Sequence, residues 1–504
     1  MSEMITITIE DGKTVQKILH DTDRSLLETF IKSGMGTGSF CKGLSLCGRC
    51  RIRFLKGAPL PNVEERNYFE ASALREGYRL ACRAKPKRDC TVKLCFEKEP
   101  DMQIISGKEG GILGTAEGNA ETDAKRHPRT FAAADIGTTT VVMQLADVLT
   151  GEVLSTVKFM NPQRCYGLDV LSRIQAAADY GEDMRRRITE ALIQGIEKLQ
   201  KTGNGTEGPV LDPFTQPELL CITGNTAMLH ILMGYDTTGL GKSPFIPVSL
   251  QEELTLLGGI RTLVMPSLSA FVGADVAAGI LETGMQKTEK SSLLIDLGTN
   301  GEMVLGNRER LFACAAAAGP AFEGGAAQGI YGADILAAIA CLLDAGKIEE
   351  SGYMEKTQSC EYREKRVEIT LEKIREIQLA KAAIRAGIEL LMKKSGLTSY
   401  EKISRVYLAG GFGFFLPEYA AVRTGLLPKE LLEKTIVIGN SALAGALGYG
   451  RDFLWNGPEE FSNRPEKDRR TLLNTDRIES FNLAEEEGFE EIYLRYINFP
   501  QWEE

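Results

Sequence analysis

The sequence predicts an α+β multidomain protein, with a small N-terminal domain, a linker and a larger two-lobed α/β domain. Three observations support this division. Three cysteines lie within ten residues, from Cys41 to Cys50, with a fourth at Cys82. A glycine-rich stretch without a hydrophobic period follows from Pro100 to Pro128, and a strand-turn-strand pattern then occurs twice. A chain of 504 residues is also too long for one hydrophobic core, so several domains are expected.

Composition narrows the class of protein. A net charge of -10 argues against general nucleic-acid binding, which needs a basic face to neutralise phosphates. The N-terminus lacks the charged and apolar regions of a signal peptide, and the longest near-apolar run, Leu311 to Phe322, is far below the ~18 residues of a membrane span. These features favour a cytoplasmic protein.

The most specific motif is the run FCKGLSLCGRC followed later by LACRA. It places Cys41, Cys47 and Cys50 at the spacing C-x5-C-x2-C, with Cys82 downstream. Ferredoxins hold a 2Fe-2S cluster with four thiolates in this arrangement, and small residues between the cysteines let the backbone wrap closely around it. A disulfide or a set of buried thiols remains the alternative, although disulfides are rare in a reducing compartment.

The N-terminal domain shows a recognisable order of elements. Ile5, Ile7 and Ile9 alternate with polar residues before Asp11-Gly12, which predicts a strand and a hairpin turn. A return strand, the helix LLETFIKSG, the cysteine loop and the strands RIRFLKG and CTVKLCFEK follow. This order resembles the ferredoxins of the β-grasp fold. Cys90 and Cys95 fall outside the spacing and are expected to be packing residues.

The strand-turn-strand pattern repeats after the linker. Phe131 to Leu154 and Leu293 to Phe312 each read as an apolar strand, Asp-x-Gly-Thr, a second strand, a polar turn and a third strand, so two related lobes are predicted. At a strand end, the glycine lets backbone N–H groups approach a phosphate, and the aspartate can hold hydrated Mg²⁺.

A glycine-rich turn follows a later apolar strand in RVYLAGGFGFFLP. The order of two Asp-x-Gly-Thr turns and a late Gly-Gly turn resembles the superfamily of actin, sugar kinases and heat-shock chaperones, whose lobes are duplicated ribonuclease-H-like units. The chain has no GxxxxGK[ST] loop, which excludes a P-loop nucleotide site. The resemblance implies ATP with Mg²⁺ as a cofactor.

The same resemblance assigns roles to individual residues. Asp135, Asp296 and Glu323 would be catalytic, with Glu323 orienting a water or the nucleotide. The residues expected to bind the nucleotide are Gly137, Thr138, Thr139, Gly298, Thr299, Asn300, Gly410, Gly411 and Gly413.

The combination of both parts resembles the family of reductive activators of corrinoid proteins. Further stretches of that family are NPQRCYGLDVLSRI, TGNTAMLHILMG, AAAGPAFEGG and QLAKAAIRAGIELL. The resemblance implies ATP-dependent transfer of one electron from a low-potential donor, such as ferredoxin or flavodoxin, through the 2Fe-2S cluster to Co(II) of a corrinoid protein in a methyltransferase or O-demethylase system. A homodimer is common among such ATPases. Lys42 departs from the family, which often has glycine there.

The predicted domains are residues 1–98 for the ferredoxin-like domain, 99–129 for the linker and 130–456 for the ATPase domain, with lobes of about 130–290 and 291–456. Residues 457–504 form a charged tail, with a strand or docking segment expected near Tyr493. Two other functions stay open: an ATP-gated electron donor to a non-corrinoid metalloenzyme, and a redox-coupled small-molecule kinase.

Several other residues are expected to be structural. His230 lies in an apolar stretch, and Leu371 to Lys394 shows the spacing of a packed helix, on which Lys381 and Arg385 are secondary candidates for nucleotide contact. The remaining cysteines are expected to be buried thiols: Cys165, Cys221, Cys314, Cys341 and Cys360.

Overall fold

The computed structural model describes residues 3–10, 15–33, 35, 50–95, 129–202, 216–298, 300–322, 332–363, 365–410, 416–456, 473 and 475–501. The chain forms two compact units. The first contains Met1–Met102, Met160–Ala191 and His230–Phe245, and the second contains the rest. No sequence feature predicted that residues near 160–191 would group with the N-terminal domain.

The described part of the N-terminal domain is a mixed sheet accompanied by three short helices. Its elements are β1 (Met4–Glu10), β2 (Val15–Asp21), α1 (Leu26–Lys32), β3 (Arg51–Lys56), α2 (Val63–Tyr68), α3 (Ala71–Arg75), β4 (Tyr78–Leu80) and β5 (Cys90–Leu94). The strand order is β2-β1-β5-β3-β4, with β1 and β5 parallel. The alternating isoleucines of β1 face the core, as predicted, and the domain has the β-grasp fold of ferredoxins. The predicted Asp11-Gly12 turn lies outside the described residues.

A second sheet begins the two-lobed part. Its strands are β6 (Thr130–Ile136), β7 (Thr140–Asp147), β8 (Val153–Met160), β9 (Leu220–Gly224), β10 (Glu253–Leu257) and β11 (Ile260–Val264), in the order β10-β11-β9-β6-β7-β8. The accompanying helices are α4 (Val170–Thr202), α5 (Thr226–Met233) and α6 (Ala274–Thr283).

A third sheet has the same plan. Its strands are β12 (Ser292–Leu297), β13 (Gly301–Gly306), β14 (Leu311–Ala316), β17 (Arg405–Ala409), β18 (Thr435–Gly439) and β19 (Ile478–Ser480), in the order β18-β17-β12-β13-β14-β19. A separate hairpin joins β15 (Gln358–Tyr362) to β16 (Lys365–Ile369). The helices are α7 (Gly332–Asp344), α8 (Leu371–Ser395), α9 (Glu418–Arg423), α10 (Lys429–Leu432), α11 (Ser441–Asn456) and α12 (Phe489–Arg495).

The two sheets confirm the internal repeat. In each, the first strand pairs antiparallel with the second, β6 with β7 and β12 with β13. Each first strand also has a parallel neighbour, β9 or β17, on its other side. The chain therefore has the duplicated lobes of the actin-like fold.

The helix predicted for Leu371 to Lys394 is confirmed as α8. Its N-cap is Thr370, whose hydroxyl accepts a hydrogen bond from the Lys373 N–H, and Gly396 ends it in the left-handed conformation. Within the described ranges, no helix combines the length and apolar character needed to cross a membrane.

The strand expected near Tyr493 is wrong, because this segment is helix α12. Phe489, Ile492 and Tyr493 recur at helical spacing and pack on the core of the second lobe. The nearby β19 pairs with β14 and extends the third sheet. The described part of the C-terminal segment is thus integrated into this lobe.

Helices α6 and α11 pack against each other at very close range. A Cβ added at Gly445 of α11 would lie 2.0 Å from the carbonyl oxygen of Ala278 in α6. Only glycine therefore allows this approach. The contact joins the two lobes, because α11 also packs on β6 and β9 while α6 packs on β12 and β13.

Replacing Gly445 by alanine is expected to destabilise the two-lobed part by about 1–3 kcal/mol, because the new methyl group forces the helices apart. The matched control is Gly181→Ala in α4, where the nearest atom would lie 4.0 Å away. That change should be neutral or stabilising by about 0.5–1 kcal/mol through helix propensity. Denaturant unfolding of both variants tests this, and equal stabilities would contradict the packing argument.

Candidate functional site

Cys50 and Cys82 come together in the N-terminal domain. Cys50 directly precedes β3 and Cys82 follows β4, and the Ala81 N–H donates to the Cys50 carbonyl at 2.9 Å. Both residues are buried, with 1% and 8% of their surface exposed. Cys41 and Cys47 lie outside the described residues, so the ligand set stays a prediction.

Hydrogen bonds from α1 hold the backbone on both sides of Cys82. The backbone N–H groups of Leu26 and Leu27 in α1 donate to the carbonyls of Ala84 and Ala81 at 2.9 and 3.0 Å. Two cysteines on a fixed, buried backbone suit an inorganic cluster, since its ligands must keep one geometry. The described cysteines therefore fit a 2Fe-2S site.

A buried ion pair supports the same segment. Glu65 accepts hydrogen bonds from the Leu80 N–H at 2.9 Å and the Asn62 N–H at 3.1 Å, and lies 3.9 Å from Arg79. Arg79 donates in turn to the Pro59 carbonyl. Burial raises the pKa of Glu65 and lowers that of Arg79. The pair thus ties α2 to the strand that leads into Cys82.

Residues 160–191 contact the N-terminal domain near the end of α1. The Arg187 guanidinium donates to the Lys32 carbonyl at 3.0 Å and to Asp183 at 3.1 Å. Asp183 also accepts a hydrogen bond from the Tyr166 hydroxyl. Because the predicted cysteine loop begins shortly after Lys32, this network anchors α1 close to where that loop starts.

The first predicted phosphate loop lies in the turn between β6 and β7. Asp135 is near the end of β6, Gly137 must lack a side chain because a Cβ would lie 2.7 Å from the Thr140 carbonyl oxygen, and Thr138 is buried. The Asn225 side-chain amide donates to the Thr138 hydroxyl at 3.1 Å. Thr139 lies in the same turn.

Asp135 also contacts a helix of the second lobe. The Asn440 amide donates to its carboxylate at 3.0 Å, while the Asn440 oxygen accepts from the Leu443 N–H at 2.8 Å and caps α11. One side chain therefore ties a helix start in one lobe to a strand end in the other.

The second predicted phosphate loop lies in the turn between β12 and β13, which is equivalent to the turn between β6 and β7. Asp296 lies near the end of β12, and the Gly298 N–H donates to the Asn300 carbonyl at 3.0 Å. Gly410 follows β17 with a φ of +86°, and a Cβ there would lie 2.8 Å from the Asp296 carboxylate. The other predicted residues of this region fall outside the described ranges: Thr299, Glu323, Gly411 and Gly413.

Three carboxylates converge at this second loop. Asp296 pairs with Glu302 across β12 and β13, and Asp275 comes from the start of α6. Burial, followed by the charge of Asp275, raises the pKa of Asp296 to about 7. Burial also raises the pKa of Asp275 to about 6 and that of Glu302 well above its ordinary value. The cluster therefore favours a bound proton or cation.

The metal expected at this site, Mg²⁺, is implied by the resemblance and stays a prediction. Among the described residues, no three Asp, Glu, His or Cys side chains are placed as a direct metal-binding group. Mg²⁺ commonly keeps several waters and uses one or two carboxylates together with substrate phosphates. Asp135 and Asp296, at equivalent strand ends, fit that role.

Sequence reasoning missed Asn225, Asn440, Asp275 and Glu302. A signal existed for the two asparagines, because Gly224–Ala227 reads GNTA and Gly439–Ala442 reads GNSA. Each asparagine follows a strand and caps the next helix. A short polar motif recurring between a strand and an apolar helix could have identified both.

The secondary candidates have structural contacts. The Lys381 ammonium donates to the Asn498 carbonyl at 2.7 Å and to that of Tyr496, and Arg385 stacks on Tyr496. Both residues thus hold the C-terminal segment. His230 is buried against Tyr235, as expected. Cys165, Cys221 and Cys314 are confirmed as buried thiols, whereas Cys341 is exposed and Cys360 is partly exposed.

Removing the buried partner of Arg79 is expected to disable the N-terminal domain. Glu65→Ala should cost about 3–5 kcal/mol, because it leaves a buried charge unpaired. Glu64→Ala is the matched control, since Glu64 is exposed and lies 3.7 Å from Arg83; it should cost no more than about 1 kcal/mol. Thermal loss of visible cluster absorbance and iron content tests this. Equal behaviour of the two variants would contradict it.

The carboxylate cluster predicts an unusual pH dependence. The folded protein keeps protons on Asp296 and Asp275 that the unfolded chain releases near pH 4. The free energy of unfolding without nucleotide should therefore fall as the pH rises from about 4 to about 7. Asp275→Asn should flatten this fall.

Denaturant unfolding across that pH window measures the effect. The control is Asp236→Asn, which removes a carboxyl whose pKa is lowered by a hydrogen bond from Thr238, and should leave the fall in place. A wild-type stability that rises over the same window would contradict the assigned protonation.

Comparisons with known proteins match three regions of the chain to family models. Residues 9–87 match the 2Fe-2S iron-sulfur cluster binding domain, residues 131–288 match the RACo middle region, and residues 290–329 and 325–504 match the C-terminal domain of RACo, the ASKHA domain. The two RACo regions together cover more than half of the chain.

Two curated relatives cover most of the sequence. The corrinoid activation enzyme RamQ of Eubacterium limosum is 29% identical over 395 residues, which are 65% of this chain and 65% of that protein. The [Co(II) methylated amine-specific corrinoid protein] reductase of Methanosarcina barkeri is 26% identical, covering 62% of this chain and 68% of its own length. The match thus spans just under two thirds of RamQ.

A solved structure extends the likeness in fold to the whole chain. The reductive activator for corrinoid, iron-sulfur protein superposes with a TM-score of 0.60 at 22% identity, covering 99% of this chain and 98% of that one. The three matched regions, in this order on one chain, show that the protein belongs to the family of reductive activators of corrinoid proteins.

Proposed function

We propose that this protein is an ATP-dependent reductive activator, which passes one electron from a low-potential donor to Co(II) of a corrinoid protein and regenerates Co(I). The observation that carries the proposal is the presence, on one chain, of paired buried cysteines in a ferredoxin fold and of carboxylates converging between two actin-like lobes. The names of two relatives, an activation enzyme and a Co(II) corrinoid protein reductase, support the same assignment.

Each part has a separate task. Cys41, Cys47, Cys50 and Cys82 would hold the 2Fe-2S cluster, which supplies one-electron chemistry at about -400 mV in this class. Glu65 and Arg79 fix the backbone of the strand that leads into Cys82, and Arg187 anchors the end of α1.

The nucleotide would lie between the two strand-end loops. Backbone N–H groups and hydroxyls of Gly137, Thr138 and Thr139 would face the phosphates, as would those of Gly298, Thr299 and Asn300. Asp135 and Asp296 would hold hydrated Mg²⁺, Glu323 would orient water, and the turn containing Gly410, Gly411 and Gly413 would border the adenosine. Asn440 keeps Asp135 oriented through the hydrogen bond described above.

An anaerobic reduction assay tests the proposal. The protein is mixed with titanium(III) citrate, ATP-Mg and a Co(II) corrinoid protein, and the Co(I) absorbance is followed. Cys82→Ser should lose the cluster and the reduction but retain nucleotide binding. Asp296→Asn should retain the cluster and slow the ATP-dependent step by about 100-fold.

Cys95→Ser is the matched control for the cysteine variant, because Cys95 lies just after β5 outside the ligand spacing, where its thiol donates to the Lys93 carbonyl. It should keep both activities. Failure to form Co(I) with any corrinoid protein offered, combined with ATP turnover that responds to a small acceptor or another metalloenzyme, would overturn the proposal.

A further inference from the structure

Cys341 and Cys360 lie side by side in the second lobe, although they are separated in sequence. Cys341 is an exposed residue of α7, and Cys360 is a partly exposed residue at the centre of β15. Helix α7 packs on the hairpin of β15 and β16. Two thiols are thus presented together at a surface formed by two different elements.

The two thiols are chemically unequal. The Cys360 thiol donates to the Glu361 carbonyl at 3.6 Å and lies close enough to Cys341 for the two side chains to interact. Burial, together with the hydrogen bond to Cys341, raises the pKa of Cys360 to about 11. Cys360 therefore keeps its proton, whereas Cys341 is the thiol that a dissolved reagent reaches first.

We propose that Cys341 and Cys360 form a thiol–disulfide exchange site for low-molecular-weight disulfides. The Cys341 thiolate attacks one sulfur of the small disulfide, breaks its S–S bond and releases one thiolate, which takes a proton from water. Cys360 then loses its proton and attacks the Cys341 sulfur of the mixed disulfide, which expels the second thiol. Two electrons and two protons pass to the small disulfide, and one Cys341–Cys360 bond forms.

The new bond would add a covalent link between α7 and the hairpin. These elements already pack together, and the Asp334 carboxylate of α7 lies 3.7 Å from the Lys365 ammonium of β16. Helix α7 also packs on the 3₁₀ turn Gly319–Phe322, which leads toward Glu323. Oxidation would therefore restrain the helix that contacts this turn. The exchange chemistry is independent of the proposed electron transfer.

The test uses the full-length protein with its cluster, under anaerobic conditions, treated with oxidised glutathione. Free thiols are then alkylated, and peptides are mapped by mass spectrometry. The expected product is a cross-linked pair of peptides containing Cys341 and Cys360, lighter by two hydrogen atoms and reversed by dithiothreitol. Visible absorbance is followed to show that the cluster stays intact.

Single variants separate the two steps. Cys341→Ser should abolish the cross-link and leave Cys360 unmodified, whereas Cys360→Ser should accumulate glutathione on Cys341. Cys95, which is also partly exposed, serves as the internal comparison and should form no cross-link to either residue. A mixed disulfide on Cys341 that persists in the wild type, or no reaction at Cys341, would overturn the proposal.

Discussion

The close contact between α6 and α11 is the constraint on which the two-lobed site depends. Gly445 lets the helices approach so closely that each begins beside a loop of the opposite lobe. Helix α11 brings Asn440 to Asp135 in the first lobe, and α6 brings Asp275 to Asp296 in the second. Each strand-end carboxylate, Asp135 or Asp296, therefore has a polar neighbour on a helix that comes from the other lobe. A change in the angle between the helices would disturb both loops together.

The buried carboxylates near the second Asp-x-Gly-Thr turn disfavour a compact site when they are ionised. Asp275, Asp296 and Glu302 repel one another when ionised, and burial removes the water that would screen them. Only a proton or a cation relieves this repulsion. A ligand that brings Mg²⁺ between the lobes would therefore stabilise the approach of these groups more than it stabilises an open arrangement, which is the differential binding that a conformational switch requires.

The sequence predicted the features that arise from local periodicity and spacing. The alternating isoleucines of β1, the repeated strand pattern and the helix α8 all appear as expected, because each buries one face through its own sequence. Pairings across lobes were missed, since nothing in the neighbourhood of Asp275 or Asn440 shows which strand each will meet. Near Tyr493, a short apolar spacing fitted both a strand and a helix, and packing against α8 decided for the helix. The proximity of Cys341 and Cys360 likewise depends on how α7 meets the hairpin.

The proposed function requires the protein to supply free energy for an uphill electron transfer as well as a path for the electron. Moving one electron uphill costs about 2.3 kcal/mol for each 100 mV, so a deficit of ~200 mV needs about 4.6 kcal/mol. A two-state element shifts from 1:99 to 99:1 with about 5.5 kcal/mol of differential binding. In the proposed function, the two lobes, which meet at the contact between α6 and α11 and carry carboxylates that repel one another when ionised, would form such an element. Under the proposed function, the ferredoxin domain would supply the electron path and the two-lobed part the free energy, which is a physical reason for joining both on one chain.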